Sequence, residues 1–263
     1  MVAEVDGLTM NCEDAGSGEA VVLLHAFPLS SAMWRPQIDV LASRWRVLAP
    51  DLRGFGKTAA PPPPYTMEQM AQDVARLLDL AGVGDVRLVG LSMGGYISLA
   101  FCRRWPSRVR ALVLADTNPG QDPPEAKARR DGLAATARDC GAQAIAEEML
   151  PRLLSPATLQ GRPDLVAQVR DMIEATPVNG IVGALLGMRD RSDSTHVLAA
   201  LPCPVLCMGG AQDAVTPPSV IQAMAAVAPN GRAQIVEDAG HLANLEQPEA
   251  FSSALLAFLE RTR

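Results

Sequence analysis

Short unbroken apolar runs alternate along the chain with longer segments in which apolar residues return every three or four positions. The runs are AVVLLHA (20–26), WRVLAPD (45–51), DVRLVGL (85–91), VRALVLAD (109–116), CPVLCMGG (203–210) and RAQIVED (232–238). Each has the length and composition of a strand, and AVVLLHA and WRVLAPD are of the kind buried on both faces. A hairpin precedes them: AEV, a turn at Asp6-Gly7, then LTMNCED. Helical spacing lies between the runs. Met67, Met70, Ala71, Val74, Leu77, Leu78 and Ala81 mark one amphipathic helix, with Thr66 as its N-cap and Gly82 as its stop. Helices are also expected over SAMWRPQIDVLAS, where Pro36 limits the start, over MGGYISLAFCRRW, PPSVIQAMAAVA and PEAFSSALLAFLERTR. The last carries Phe251, Ala254, Leu255, Phe258 and Leu259 as its core stripe. Strands alternating with helices predict an α/β fold with a parallel sheet and right-handed crossovers.

The alternation stops at Thr117. From there to His196 the pattern is helical only, in PEAKARRDGLAATARDC, AQAIAEEMLPRLL, PDLVAQVRDMIEATP and VNGIVGALLGMRD. The chain therefore divides into a first core part (1–116), a helical insert (117–196) of roughly 80 residues, and a second core part (197–263). The loop LRGFGKTAAPPPPY after Asp51 is too rich in glycine and proline for regular structure, and Pro61 to Pro64 favour an extended segment.

Hydrophobic residues make up 48% and charged residues 20%, as in a packed globular protein rather than a disordered one. Net charge is −6 and no basic block occurs, so neither nucleic acid nor an acidic membrane is an expected partner. The amino terminus lacks a basic segment followed by an apolar one, and no run approaches the roughly 18 apolar residues of a membrane span; a cytoplasmic protein is expected. Five cysteines form an odd set without a tight pair. Cys203 and Cys207 are expected on one face of a strand, as buried free thiols rather than metal ligands.

Chemistry concentrates in RLVGLSMGGYISLA, Arg87 to Ala100. Gly90-Leu91-Ser92-Met93-Gly94 sits between a strand and a helix, the context of a nucleophile elbow. A sharp turn lifts the serine hydroxyl above the sheet edge, and the glycines give neighbouring chain room to approach. The helix starts at the serine, so the Met93 N–H is free to stabilise an oxyanion. A serine hydroxyl needs a base. Of the three histidines, His241 follows the last strand, His196 ends the insert, and His25 opens HAFP, where a second oxyanion donor, the Phe27 N–H, belongs. The chain order serine, acid, histidine selects His241 as base. Asp213, just beyond a strand, is the expected acid; Asp116, ending VRALVLAD, is its rival, and Asp238 decorates the His241 loop. Trp34 and Arg189 are candidate substrate contacts, with packing and ion pairing as their competing roles; Arg191 shares the choice. Met149, Met172 and Met188 either fill the insert's core or line the pocket, and Asp51 and Arg53 are expected to brace a loop.

His25-Ala26-Phe27-Pro28, Asp51-Leu52-Arg53-Gly54-Phe55-Gly56, Gly90-Leu91-Ser92-Met93-Gly94-Gly95, Gly209-Gly210-Ala211-Gln212-Asp213 and Gly240-His241 with Glu246-Gln247-Pro248-Glu249 resemble the α/β-hydrolase superfamily over essentially the whole chain. The end of the insert, GALLGMRDRSDST, and the tail AGHLANLEQPEAF look most like the 3-oxoadipate enol-lactonase-like branch, a look shared by small carboxylesterases and lactonases. The resemblance implies an eight-stranded, mostly parallel sheet under a helical cap, and hydrolysis of a small ester or lactone through an acyl-enzyme, with no cofactor and no metal. Ser92 argues against dehalogenases and epoxide hydrolases, which carry aspartate at the elbow; Leu242 departs from the aromatic residue of carbon–carbon-bond hydrolases, and Ala26 from the usual glycine. Perhydrolysis on the same residues, with Pro28 shaping the site, is a second expectation, and a ligand-binding receptor on a hydrolase scaffold a third.

Overall fold

The structure is a computed structural model describing residues 1–262. Its eight strands are β1 (Val2–Val5), β2 (Leu8–Ala15), β3 (Ala20–Leu24), β4 (Arg46–Pro50), β5 (Val86–Leu91), β6 (Val109–Ala115), β7 (Val205–Gly210) and β8 (Gly231–Val236). They form one sheet in the order β1-β2-β4-β3-β5-β6-β7-β8. β1 and β2 pair antiparallel, as do β2 and β4; every later pairing is parallel. The sheet is the eight-stranded, mostly parallel one implied by the resemblance. All residues of β3, β5 and β7 are buried, which is why these strands appear in the sequence as unbroken apolar runs.

The strand order reverses at β3: β4 lies on one side of it and β5 on the other. Connections from the two strands leave in opposite directions there, opening a crevice at their carboxyl ends, the place where ligands bind in open parallel sheets. The segments leaving β3 and β5 begin at His25 and Ser92.

The helices are α1 (Arg35–Leu41), α2 (Met67–Leu80), α3 (Met93–Arg104), α4 (Pro124–Leu153), α5 (Pro156–Gly161), α6 (Pro163–Glu174), α7 (Val178–Arg189), α8 (Thr195–Ala200), α9 (Pro218–Val227), α10 (Ala243–Glu246) and α11 (Pro248–Glu260). The expected α2 face is buried, and the Thr66 hydroxyl accepts from the Gln69 N–H at 3.0 Å as an N-cap. Between β6 and β7 the chain makes only helices, α4 to α8. The first two expected insert helices meet in α4 at a kink, where Gly141 takes a left-handed φ of 78°. The short α5, α8 and α10 have no sequence signal, being under two turns, too short for a helical period to repeat. Cys203 lies ahead of β7 rather than on it, so only Cys207 occupies the strand; Cys140, beside the Gly141 kink, is exposed, unlike the other cysteines. The last helix ends at Glu260, short of the expected 263, a residue outside the described ones.

α7 is seated through its glycines. A Cβ at Gly180 would lie 1.9 Å from the Gly54 carbonyl oxygen, and one at Gly187 1.6 Å from that of Tyr65. The Tyr65 N–H donates to Gly183 O at 3.0 Å. This contact ties the helical excursion to the loop after β4. The same loop is braced as expected by Asp51, which accepts from the Ser31 N–H (2.9 Å), the Ser31 hydroxyl (2.7 Å), the Lys57 N–H (2.9 Å) and the Asn11 amide (2.9 Å). Arg53 instead grips Asp73 through two bonds of 2.7–2.8 Å.

Burial alone pushes the Asp51 pKa up, but the Lys57 and Ser31 donors outweigh it and hold the carboxyl below its ordinary value. Asp51→Asn turns one of these acceptors into a donor facing N–H groups and is expected to cost about 2–4 kcal/mol, read from urea unfolding at neutral pH. Because the folded pKa is depressed, the stabilisation is present above the ordinary carboxylate pKa and disappears as pH falls through the lowered folded value. The wild type and the variant therefore converge in acid; a gap independent of pH contradicts the assignment.

Candidate active site

Ser92 has φ 54° and ψ −112°, a strained backbone for a residue with a side chain. Its surroundings enforce that conformation. The Ser92 N–H donates to Ala115 O of β6 at 2.8 Å, and the Thr117 hydroxyl donates to Ser92 O at 2.8 Å. Behind the turn, backbone meets backbone: a Cβ on Gly94 would stand 2.1 Å from Leu24 O, and one on Gly90 2.3 Å from Gly94 O. The two glycines expected around the serine thus supply clearance for β3 and α3.

The turn points the serine hydroxyl at His241. Ser92 Oγ is 2.9 Å from His241 Nε2, and His241 Nδ1 is 2.8 Å from Asp213 Oδ2. With Nδ1–H donating to Asp213, Nε2 is the free acceptor for the serine proton. Asp213 follows β7; its Oδ1 accepts from the Val215 and Thr216 N–H groups at 2.7 and 3.0 Å. Burial works against its charge, yet His241 and these two amides hold the Asp213 pKa below the usual value, so it is ionised.

Glu246, which sequence reasoning treated only as part of a motif, fixes the histidine loop. Its Oε1 accepts from Gly240 N–H at 2.7 Å, its Oε2 from Ser155 N–H at 2.9 Å, and its carbonyl from Arg162 at 2.7 Å. One buried carboxylate thereby joins the residue before His241 to the helical excursion.

The Phe27 N–H has no acceptor among the described residues, and Met93, first in α3, has no carbonyl one turn earlier to receive its own. His25 is fully buried; Nδ1 bonds Ala26 O of its own loop at 2.9 Å and Nε2 accepts from Leu52 N–H at 3.0 Å, so the ring also ties the β3 and β4 loops together. Burial lowers its pKa, which keeps it neutral. His196, on α8, and Asp238 are exposed.

Ser92, His241 and Phe27 open into a cavity whose empty space, its open mouth included, is about 550 Å³. Its roof is apolar: Leu133, Met149, Leu153, Leu185 and Met188. Two of the three methionines singled out are there; Met172 is not. Trp34 is not there either: it is fully buried and packs on Phe251, with ring centroids 6.2 Å apart. Arg189 also misses the cavity, because Asp131 and Asp190 hold its guanidinium on the surface. Arg191 is buried over the Tyr96 ring and pairs with Asp122, which also takes Arg130. The arginines that line the cavity are Arg129, Arg130 and Arg152. Among the described residues, Arg129 and Arg152 form no ion pair. Their positions on α4 carried no motif, which is why the sequence did not single them out.

Asp116, Asp213 and His241 each bring a donor atom within 4.8 Å of the others, the one cluster of metal-ligating groups among the described residues. Two of the three are already bonded to each other, so the cluster fits a proton relay better than a cation cage.

The family described as alpha/beta hydrolase fold matches residues 19–248. The chain is 42% identical to a malate-bound thermophilic esterase from Thermogutta terrifontis, with a TM-score of 0.95, over 97% of this chain and 94% of the other. It is 29% identical to the enol-lactonase from Burkholderia xenovorans LB400, with a TM-score of 0.91, over 99% and 100%. A 3-oxoadipate enol-lactonase from Acinetobacter baylyi is 26% identical over 92% of this chain and 89% of its own.

Gly94→Ala should be among the most damaging single changes near the site, because the new methyl meets backbone that cannot turn aside. A loss of about 3 kcal/mol or more is expected in thermal unfolding, together with loss of Ser92 labelling by a fluorophosphonate. Wild-type stability and labelling would show that β3 and α3 do not approach as closely as described.

Proposed function

The chain belongs to the α/β-hydrolase family, and from that premise we propose that it is a serine hydrolase cleaving a carboxylic ester or lactone, with Ser92 as nucleophile, His241 as general base and Asp213 as the acid. The observation that carries this reading is the unbroken chain of contacts Ser92 Oγ, His241 Nε2, His241 Nδ1 and Asp213 Oδ2, at 2.9 and 2.8 Å, on the floor of a cavity.

His241 takes the Ser92 proton as Oγ attacks the carbonyl carbon. The imidazolium that forms is faced by ionised Asp213. The Phe27 and Met93 N–H groups receive the oxyanion, each such donor being worth about 3 kcal/mol in the transition state. Collapse breaks the bond to the alcohol oxygen, which takes the proton back from His241. A lactone's alcohol stays tethered to the acyl group. His241 then deprotonates water, and attack on the acyl-enzyme frees the acid and restores Ser92.

The cavity also favours one substrate charge. Burial, then the nearby Arg129, lowers the Arg152 pKa against the opposing pull of Glu148, and Arg130 adds to the lowering, so positive charge outweighs negative there. A substrate carboxylate offsets that excess and gains charge-assisted hydrogen bonds. The Thermogutta relative binds malate, a dicarboxylate, which supports the same preference here.

Ser92→Ala is expected to lower turnover of short p-nitrophenyl esters by about a thousandfold or more while leaving the fold intact by circular dichroism. Retained activity in the purified variant sinks the mechanism. Arg152→Gln is expected to raise KM for a monoester of a dicarboxylic acid by about tenfold, with little change for the neutral ester of equal length. Equal effects on both esters remove the charge preference and leave the serine mechanism standing.

A further inference from the structure

β6 delivers a second carboxyl behind the Asp213–His241 pair. Asp116 is fully buried, in a left-handed conformation with φ 45°, held by its N–H on Met208 O at 2.9 Å. Its Oδ1 accepts from the Gly210 N–H at 2.9 Å, and its carbonyl from the Thr216 hydroxyl at 3.3 Å. Its Oδ2 is buried with no donor to accept from. The charged or titratable groups facing it are Asp213 and His241, each with a polar atom within 4.8 Å of its carboxyl, and Glu246. No Lys or Arg pairs with it among the described residues.

Two carboxylates cannot both ionise this close together away from water. Asp213 has three donors aimed at it, and Asp116 has one. The proton therefore belongs on Asp116, whose unpartnered Oδ2 is then the atom free to carry it. We propose that Asp116 is a neutral carboxylic acid whose Oδ2–H donates to the Asp213 carboxylate, making it a positioning residue for the acid beside His241. Burial and the Asp213 charge both push the Asp116 pKa well above the carboxylate range, in agreement with the geometry. The arrangement also answers the rivalry seen in the sequence. Asp116 does not replace Asp213; it accepts from Gly210 with one oxygen and, in this proposal, donates to Asp213 with the other, and so holds β6, β7 and the Asp213 loop in one register.

The kinetic consequence rests on the proposed serine mechanism; the protonation state does not. The primary test is infrared spectroscopy of the full chain at neutral pH. The wild type, and equally Ser92→Ala, should show the C=O stretch of a protonated carboxylic acid that is missing from Asp116→Asn. Its absence from the wild type overturns the proposal whether or not the protein hydrolyses esters. Kinetics supply the second arm. Asp116→Ala, lacking a donor to Asp213, should lose about tenfold or more in kcat with KM nearly constant. Asp116→Asn keeps an acceptor for Gly210 and a donor for Asp213, and should restore most of that loss. An Asn variant as impaired as the Ala variant means that Asp116 acts by its charge and overturns the proposal. If Asp116→Ala does not fold, the infrared comparison still decides, since it uses only the Asn variant.

Discussion

The site rests on how closely β3 and β5 approach at their carboxyl ends. Leu24 and Gly90 are paired neighbours in the sheet, and α3 must pass over them within a carbonyl's reach of Gly94. That crowding leaves Ser92 no relaxed conformation, and its positive φ is the result. The strain is local, but the restraint is not. The Ser92 N–H and C=O are tied to Ala115 and Thr117, at the end of the next strand. The same strand end presents Asp116, and β7 beside it presents Gly210 and the Asp213 loop. Four neighbouring strands thus set the geometry of Ser92, Asp116 and Asp213, and the rigid sheet does the positioning that loops alone could not.

How much of this is legible in the sequence depends on whether a residue's role is local or assembled. The strands are legible because burial on both faces makes them continuously apolar, and α2 because Thr66 and Gly82 punctuate a clean stripe. Ser92 is legible because the glycine clearance it needs falls within two residues of it. Asp213 and His241 are legible only through chain order, each beyond its own strand. What contacts the cavity is not legible, since it depends on how α4 and α7 rotate over the sheet. Trp34 follows the His25–Pro28 segment closely in sequence, yet its ring packs against Phe251 and does not line the cavity. Arg189 sits at the end of α7 and faces solvent, whereas Arg152 sits one residue after Pro151 and faces inward. Glu246 resembles an ordinary surface acid in the sequence; it becomes a brace only because Gly240 and Ser155 bring two N–H groups to it.

These placements give the site a division of charge that no single motif encodes. Behind His241 lie Asp213 and Asp116, and beyond them Glu246; in front of Ser92, under the apolar roof, lie Arg129 and Arg152. A cluster of three buried acids carries a large desolvation cost if all are charged, and it would also bind His241 so strongly as an imidazolium that proton return to the leaving alcohol would be hindered. The proton proposed for Asp116 would resolve both difficulties. It leaves a single carboxylate facing the imidazole, already spread over three donors, so the imidazolium is stabilised without being trapped. In the proposed mechanism Arg129 and Arg152 act on the other partner, an anionic substrate, and neither forms an ion pair with Asp213 among the described residues. In that proposal the neutral acid and the cavity's guanidiniums are complementary: the one limits negative charge behind the imidazole, and the others meet negative charge on the substrate.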